Sequence, residues 1–341
     1  MTSPYSNTGG KVPPEAGKAV WNRTKIDALT FTARGAMNVP LDLLERYLGK
    51  SGAFNVQDPD SGWQGYQYSA SLTVDGTNVG RVSWGGKSQR DTVHISLMGT
   101  GCAMVGDVAP IVATCARESW PLGRVDIAAD FVDGSVSYDT TYAASRRRGF
   151  HSGGRPPEIN GIGPLDDGNR GRTITIGKRE NDKFGRCYEK GLKELPSIIR
   201  DIAEDTGIDP GPNFMIQVNG VWINPARWFR AEAELKAKKR PLPWDIVERR
   251  DQYFAGCYPY FAEILPSAEP AFILTPDRVG TLALEEVLAH IQRQYGSTLF
   301  TALVAYEGDI GALFAKIIGD KHNERLVQAG ALLGKLSQVA V

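Results

Sequence analysis

The residues best suited to chemistry in this sequence lie in a strand-like run at 184–190. Side chains of a strand alternate between its two faces, so Phe184, Arg186, Tyr188 and Lys190 are expected to share one face. A tyrosine with a cation two residues away on either side is arranged to meet an anion, and phosphate is the obvious candidate. The free phenol has a pKa of roughly 10, so nearby positive charge or a metal would have to favour the phenolate. A surface tyrosine with solubilising charges produces the same pattern.

A second strand with two different faces is predicted at residues 123–131. One face carries Arg124, Asp126 and Asp130, and the other is apolar, which indicates burial on that side. Carboxylate oxygens are preferred ligands of Mg²⁺ and Mn²⁺, and we expect Asp126 and Asp130 to lie close enough to share one such ion. The alternative is that Asp126 pairs with Arg124 and that Asp130 only begins a turn.

A third strand of the same character is predicted at 228–236. Arg230, Glu232, Glu234 and Lys236 share one face of it, opposite an apolar face. A solvent-facing sheet would also alternate, but it would not need a tyrosine and four carboxylates concentrated in three strands. The three strands therefore predict one sheet with a polar working surface.

These segments, in this order, resemble the Rep-trans replication initiators of rolling-circle plasmids and filamentous phages, and related relaxases of integrative conjugative elements. The family pattern R-x-D-x-x-x-D matches residues 124–130, R-x-Y-x-K-G matches 186–191, and R-x-E-x-x-x-K matches 230–236. Residues 24–32 and 91–102 are similar to two earlier strands of the family, so the resemblance covers about residues 24–265. The departures are small: Asn181 stands where the family usually has serine, and Cys187 where an aliphatic residue is common.

The resemblance implies nicking and joining of DNA by tyrosine transesterification at a replication origin. Tyr188 would attack the scissile phosphorus, giving a 5′-phosphotyrosyl intermediate and a 3′-hydroxyl primer. Arg186 and Lys190 would neutralise charge on the phosphoryl oxygens. Asp126, helped by Asp130 or Glu232, would hold Mg²⁺ or Mn²⁺. The four histidines include no histidine–hydrophobic–histidine pair, which favours carboxylate ligands over zinc chemistry.

Two other functions fit the same residues. A conjugative relaxase would make the same cut at a transfer origin, and a non-catalytic origin-binding protein would not cut at all. Clustered carboxylates disfavour simple binding, because they repel DNA unless a cation bridges them. The partners expected from the resemblance are origin DNA, read as a duplex and cleaved as a single strand, a host helicase and polymerase, and a second copy in a homodimer.

The overall charge gives no hint of a nucleic-acid partner, since 39 Lys and Arg balance 39 Asp and Glu. The basic residues are nevertheless concentrated near the predicted site, with eleven against six acidic residues at 145–190. They include the cluster Arg146–Arg148; the run Lys236–Arg240 follows later. The four cysteines lack zinc spacing, and no apolar leader or membrane span is visible, so we expect a cytoplasmic protein with reduced thiols.

The order of predicted elements indicates an α+β fold. An antiparallel sheet with helices packed on one face would be built from two β-α-β-β-β-α halves, as in relaxases. We predict a disordered N-terminal tail at 1–20, a catalytic domain at 21–265 and a helical C-terminal region of three helices at 266–341. A Gly- and Pro-rich loop at 149–171 is expected to be a mobile excursion or a cover for a DNA strand.

Overall fold

The computed structural model describes residues 24–46, 54–57, 60–105, 108–152, 155–163, 171–207, 215–218, 221–238, 240–273 and 280–320. The chain divides into two compact units, one ending at Ile273 and the other beginning at Leu274. The predicted tail at 1–20 lies outside the described residues, as does 321–341, the end of the predicted helical C-terminal region.

The first half of the large unit follows the predicted order, with two short strands added. Its elements are β1 (Thr24–Arg34), α1 (Asn38–Glu45), β2 (Asn55–Val56), β3 (Asp60–Ser61), β4 (Tyr68–Val74), β5 (Thr77–Trp84), β6 (Thr92–Met98), α2 (Gly99–Met104) and α3 (Ala109–Arg117). Two short helices, α2 and α3, thus occupy the place of the single helix that ends the predicted order.

The second half repeats the order with insertions. Its elements are β7 (Leu122–Phe131), α4 (Tyr138–Arg146), β8 (Ile159–Ile162), β9 (Thr173–Ile176), β10 (Lys183–Tyr188), α5 (Lys190–Thr206), β11 (Ile216–Val218), β12 (Val221–Ile223), β13 (Phe229–Lys236), α6 (Arg250–Ala255) and α7 (Pro259–Ile264). Short 3-10 turns at Pro225–Arg227 and Trp244–Ile246 flank β13.

One antiparallel sheet joins the two halves, which confirms the predicted fold class. Its described strands run in the order β2-β4-β5-β6-β1-β7-β13-β10-β9-β8, with β3 paired to β4. The first strands of the two halves, β1 and β7, pair with each other at the centre. The remaining strands extend outward in matching order on the two sides, so each half supplies one wing of the sheet.

The apolar face of the sheet packs against helices. Val125, Ile127 and Ala129 of β7 are buried in one cluster with residues of α1, α3, α6 and α7. This face could be predicted from the sequence, because every second residue of β7 from 125 to 131 is apolar and side chains alternate between the faces of a strand. Helix α5 instead packs in a second, smaller cluster with the hairpin β11–β12.

Several predicted boundaries were wrong. The strand expected at 184–190 ends at Tyr188, and α5 begins at Lys190. The loop expected at 149–171 contains β8, which pairs with β9 at the sheet edge. Two of the predicted C-terminal helices form one continuous helix, α8 (Gly280–Ala305), followed by α9 (Ile310–Ile317).

The four cysteines are free thiols, as predicted. In the part of the chain that the structure describes, no helix combines the length and apolarity that a membrane crossing needs.

Candidate active site

Three adjacent strands, β7, β13 and β10, bring the predicted site residues onto one face of the sheet. The pairing register places Tyr188 opposite Arg230, and Arg230 opposite Asp130. Arg186 lies opposite Glu232 on the same face. The sequence predicted this convergence, and the register now fixes which side chains meet.

The Tyr188 side chain is nearly buried, with 4% of its surface exposed, yet its surroundings are charged rather than apolar. Its hydroxyl donates a hydrogen bond of 2.6 Å to Oε1 of Glu232. Arg186 lies over its ring at 4.8 Å and Lys193, from α5, at 5.4 Å. Burial and the Glu232 charge raise the pKa of the phenol far above its ordinary value, against the opposing effect of Arg230 and Arg186. The neighbouring cations therefore favour the phenolate, but burial and Glu232 outweigh them.

Glu232 is the carboxylate that pairs with the two arginines next to Tyr188. Its Oε2 accepts hydrogen bonds from Nε of Arg186, at 3.0 Å, and from Nη2 of the same guanidinium. Nη1 of Arg230 lies 3.7 Å from its Oε1. Glu232 thus holds Tyr188 with one oxygen and Arg186 with the other.

Asp130 forms the most completely paired group of the site. Arg230 grips it with two hydrogen bonds, Nε to Oδ1 at 2.6 Å and Nη2 to Oδ2 at 2.9 Å. Nε1 of Trp228 donates to Oδ1 at 2.9 Å, and Nζ of Lys25 lies 3.0 Å from Oδ2. Burial alone would raise the pKa of Asp130, but these donors, Arg230 above all, hold it below its ordinary value.

Sequence reasoning missed Lys25, Asp27 and Trp228 as members of this network. Asp27 accepts from Nη1 of Arg230 at 3.2 Å, from a position where the pairing of β1 with β7 shifts by one residue. Its only signal in the sequence is that it is the single carboxylate of β1. The sequence does not identify Arg230 as the partner of Asp27, because this contact depends on the register of the strands.

Asp126 lies at the other end of the polar face, level with Glu234. Arg124 binds it through two hydrogen bonds of 2.7 and 2.5 Å and also reaches Glu234 at 3.1 Å. Lys236 and Arg179 are further ion-pair partners of Glu234. Burial raises the pKa of Asp126, and the two glutamates reinforce this effect against the pull of Arg124. In this structure Asp126 is thus paired with Arg124, which was the alternative to a metal ligand in the sequence analysis.

The predicted metal ligands do not form one site in this arrangement. Asp126 and Asp130 are four residues apart on β7, or about 13 Å along the strand, so they cannot share an ion as expected. Asp126, Asp130 and Glu232 are each bound to an arginine instead. Within the described ranges, no group of three or more His, Cys, Asp or Glu side chains is placed to hold a metal.

Lys190 does not share the strand face of Tyr188, because the chain has already turned into α5. Its ammonium group lies 2.6 Å from Glu194 and 5.9 Å from the centre of the Trp228 ring. Only glycine fits at the next position, Gly191, where an added Cβ would lie 1.6 Å from the carbonyl oxygen of Pro225. Lys190 is thus near the site but is presented from a helix.

The two basic clusters have different surroundings. Arg146, Arg147 and Arg148 are all exposed at the end of α4, where Arg147 pairs with Glu263 at 2.6 Å. In the run Lys236–Arg240, Lys236 and Lys238 instead bind backbone carbonyls of the turn between β9 and β10. The described lysines of this run therefore hold a hairpin, while the arginines of α4 face solvent.

A family model and a solved structure are similar to this chain. The family model described as a replication initiation factor, Rep-trans, matches residues 121–199. A solved structure, the rolling circle replication initiator protein from Geobacillus stearothermophilus, aligns with 74% of this chain and 99% of its own at 15% identity and a TM-score of 0.48. No curated protein matches the chain. The family match confirms the resemblance of this chain to the Rep-trans replication initiation factors, over a segment that holds Asp126, Asp130, Arg186 and Tyr188.

Proposed function

We propose that this chain initiates rolling-circle replication by nicking and rejoining DNA at an origin, with Tyr188 as the nucleophile. The observation that carries the proposal is the hydrogen bond from the Tyr188 hydroxyl to the buried carboxylate of Glu232. A phenol with a raised pKa stays protonated near neutral pH, so it needs a positioned proton acceptor in order to attack. Glu232 lies where such an acceptor is required.

In the proposed reaction the Tyr188 oxygen forms a bond to the scissile phosphorus while the bond to the 3′-oxygen breaks. Glu232 receives the phenol proton, and the departing 3′-oxygen takes a proton from water. Arg186, Lys190 and Lys193 neutralise the charge that develops on the phosphoryl oxygens. Because the phosphotyrosyl bond keeps the energy of the phosphodiester, the same site can rejoin the strand.

Access to the tyrosine requires movement of side chains. Arg186 and Lys193 lie over the ring of Tyr188, and both are long, flexible cations. A phosphate that enters the site offers these cations a new partner and thereby draws them off the ring. We infer that binding of the anionic strand itself opens the path to the hydroxyl.

The direct test incubates the full chain with a supercoiled plasmid that carries the origin of its own replicon, in the presence of Mg²⁺. We expect open circles, and protein that stays attached to a 5′ end after denaturation. Binding of the plasmid without either product would leave an origin-binding protein and would refute the proposed cleavage. A host helicase and polymerase and a homodimer are proposals that rest on the resemblance, and a cytoplasmic location is a proposal that rests on the cysteine pattern.

The requirement for Mg²⁺ or Mn²⁺ stays a prediction. We expect EDTA to stop nicking and either ion to restore it, because the family resemblance implies a metal-assisted reaction. If Asp126 holds the ion, Asp126→Asn raises the Mg²⁺ concentration needed for half-maximal nicking. A lower unfolding midpoint with an unchanged Mg²⁺ requirement would make Asp126 only a structural partner of Arg124, and full activity after exhaustive chelation would contradict the metal role.

Duplex recognition is proposed for the exposed arginines at the end of α4. Changing Arg146, Arg147 and Arg148 to alanine is expected to weaken origin binding and to reduce its salt dependence by about one unit of slope per lost phosphate contact. Filter binding over a range of salt concentrations measures both effects, with Arg117→Ala, an exposed arginine of α3, as the control. Cleavage of a short single strand at high protein concentration should change much less. An equal loss on both substrates would place these arginines in the active site.

A further inference from the structure

An open groove of about 820 Å³ lies on the first wing of the sheet, away from Tyr188. Its floor contains Thr32 of β1 and Thr92 and His94 of β6, with Tyr66 beside them. Pockets of roughly 300–1,000 Å³ are typical of small-molecule sites, so the groove has room for about one nucleotide.

The groove and the active site occupy the same face of one sheet. The register pairs His94 with Thr32, and it pairs Thr30, two residues away on β1, with Arg124 of β7. Arg124 in turn lies opposite Lys236, on the face that carries Glu232. Four strand spacings separate β6 from β10, or about 19 Å across the sheet. The registers also place His94 about eight residues, or roughly 26 Å, from the level of Tyr188 along the strands. A single strand that runs diagonally over roughly 33 Å of this face can therefore contact both the groove and Tyr188.

An aromatic cluster borders the groove. The rings of Tyr66 and His94 stack with their centres 6.1 Å apart, and Trp63 packs against His94 at 5.6 Å. The Tyr66 hydroxyl lies 3.0 Å from Oγ1 of Thr92, which holds the ring in place. Burial lowers the pKa of His94, so the imidazole is neutral near pH 7 and presents one donor and one acceptor.

The walls of the groove carry polar and cationic side chains and one carboxylate, Asp91. Gln64 and Gln89 supply amide groups, and Arg34 and Arg90 are exposed at the rim. Gln64 and Arg90 also have positive φ angles, 55° and 52°, in the region that residues other than glycine rarely adopt. Backbone strain of this kind concentrates at binding sites, where the surroundings impose a particular loop shape.

We propose that this groove binds one nucleotide of the single strand that is cut at Tyr188. The base stacks on His94, whose ring is backed by the nearly buried Tyr66, the hydroxyls and amides meet the edge of the base, and Arg34 and Arg90 contact the adjacent phosphates. Base stacking on aromatic rings beside a basic rim is how single strands are commonly held, and it tolerates any base. A duplex fits less well, because its bases are already stacked. The inference rests on the proposed function, since it identifies how that site's substrate is held.

Photochemical crosslinking tests the position of the base. The probe is a short oligo(dT) in which one thymine is replaced by 5-iodouracil, which reacts with a stacked aromatic ring on irradiation. With the full chain we expect the adduct on Tyr66, His94 or Trp63. Adducts found only at other residues would overturn the proposal.

Binding by variants provides the second test. His94→Ala is expected to weaken binding of oligo(dT) by about tenfold, the effect of losing one stacked base. The matched control is Tyr68→Ala, because Tyr68 is also aromatic, is 43% exposed and lies close to the groove residues in sequence. It lies on the opposite face of the sheet, since it pairs with Trp84 and Trp84 pairs with Val93 of the apolar face. An equal loss of affinity in both variants, or no loss in His94→Ala, would refute the proposal that the groove binds a nucleotide.

The variant Tyr188→Phe separates the two proposals. It should give the same crosslink at the groove while forming no covalent adduct with DNA. A crosslink at the groove with a wild-type chain that never nicks supports the groove and refutes the proposed function. Nicking without a crosslink at the groove refutes the groove alone.

Discussion

Replacing Tyr188 by phenylalanine is expected to abolish nicking and covalent attachment, a loss of roughly three orders of magnitude or more. Only the hydroxyl is removed, so the ring keeps its place beneath Arg186 and Lys193. Origin binding should remain close to that of the wild type. The measurement is the fraction of supercoiled plasmid nicked and the amount of protein linked to a 5′ end.

Two companion variants make this result specific. Tyr142→Phe removes a hydroxyl from an exposed tyrosine of α4 and should leave activity unchanged. Glu232→Gln keeps a side chain of the same shape but removes the proton acceptor, so nicking should slow by roughly 10²-fold or more without loss of binding. A Tyr188→Phe protein that still forms the covalent adduct would show that another tyrosine is the nucleophile.

The sheet and its polar face could be predicted because their determinants are local. In β7 and β13 every second residue is apolar, and a period of two specifies a strand with one buried face. The two chain halves repeat the same order of elements, with several short strands in succession between helices, and this order predicts an antiparallel sheet. The capping box at the start of α4 is equally local, since Ser137 and Thr140 each accept from the other's backbone N–H.

The contacts within the site could not be predicted because they depend on register between distant strands. Tyr188 and Glu232 are 44 positions apart, and their hydrogen bond exists because Arg186 pairs with Glu232 across β10 and β13. The period of two also failed to predict the end of β10 before Lys190. There α5 begins, and Gly191 allows close approach to Pro225. Composition alone could not show that each carboxylate of the face already has an arginine partner.

The arginine pairs also explain how a face with so many carboxylates can meet DNA. Asp27, Asp126, Asp130, Glu232 and Glu234 would repel a phosphate chain if they stood alone. Arg124, Arg186 and Arg230 are interleaved with them, so the charges of the described face are largely neutralised in place. Such pairs are stable only while both partners are present, because either charge alone would be buried without compensation.

Removing Arg230 is therefore expected to cause a large loss of stability. In Arg230→Met the Asp130 carboxylate stays buried without its two strongest hydrogen bonds, and the cost should be about 3–5 kcal/mol in the free energy of unfolding. Urea unfolding of the full chain, followed at the transition of the large unit, measures this loss. Arg124→Met is the matched control: its side chain is 34% exposed against 4% for Arg230, so we expect a clearly smaller loss.

A double variant and the pH dependence identify the cause. Arg230→Met combined with Asp130→Asn should recover part of the lost stability, because the uncompensated charge is then gone. Asp130 has a folded pKa below its ordinary value of about 3.9, so its ionised form stabilises the fold above that pH and the contribution is lost as the pH falls through the folded pKa. The stability difference between the wild type and Arg230→Met should accordingly be largest where Asp130 is ionised in both proteins, and it should shrink as acid protonates Asp130, first in the variant that lacks the arginine. A difference that does not change with pH, with no recovery in the double variant, would mean that Arg230 stabilises the sheet through packing rather than through Asp130.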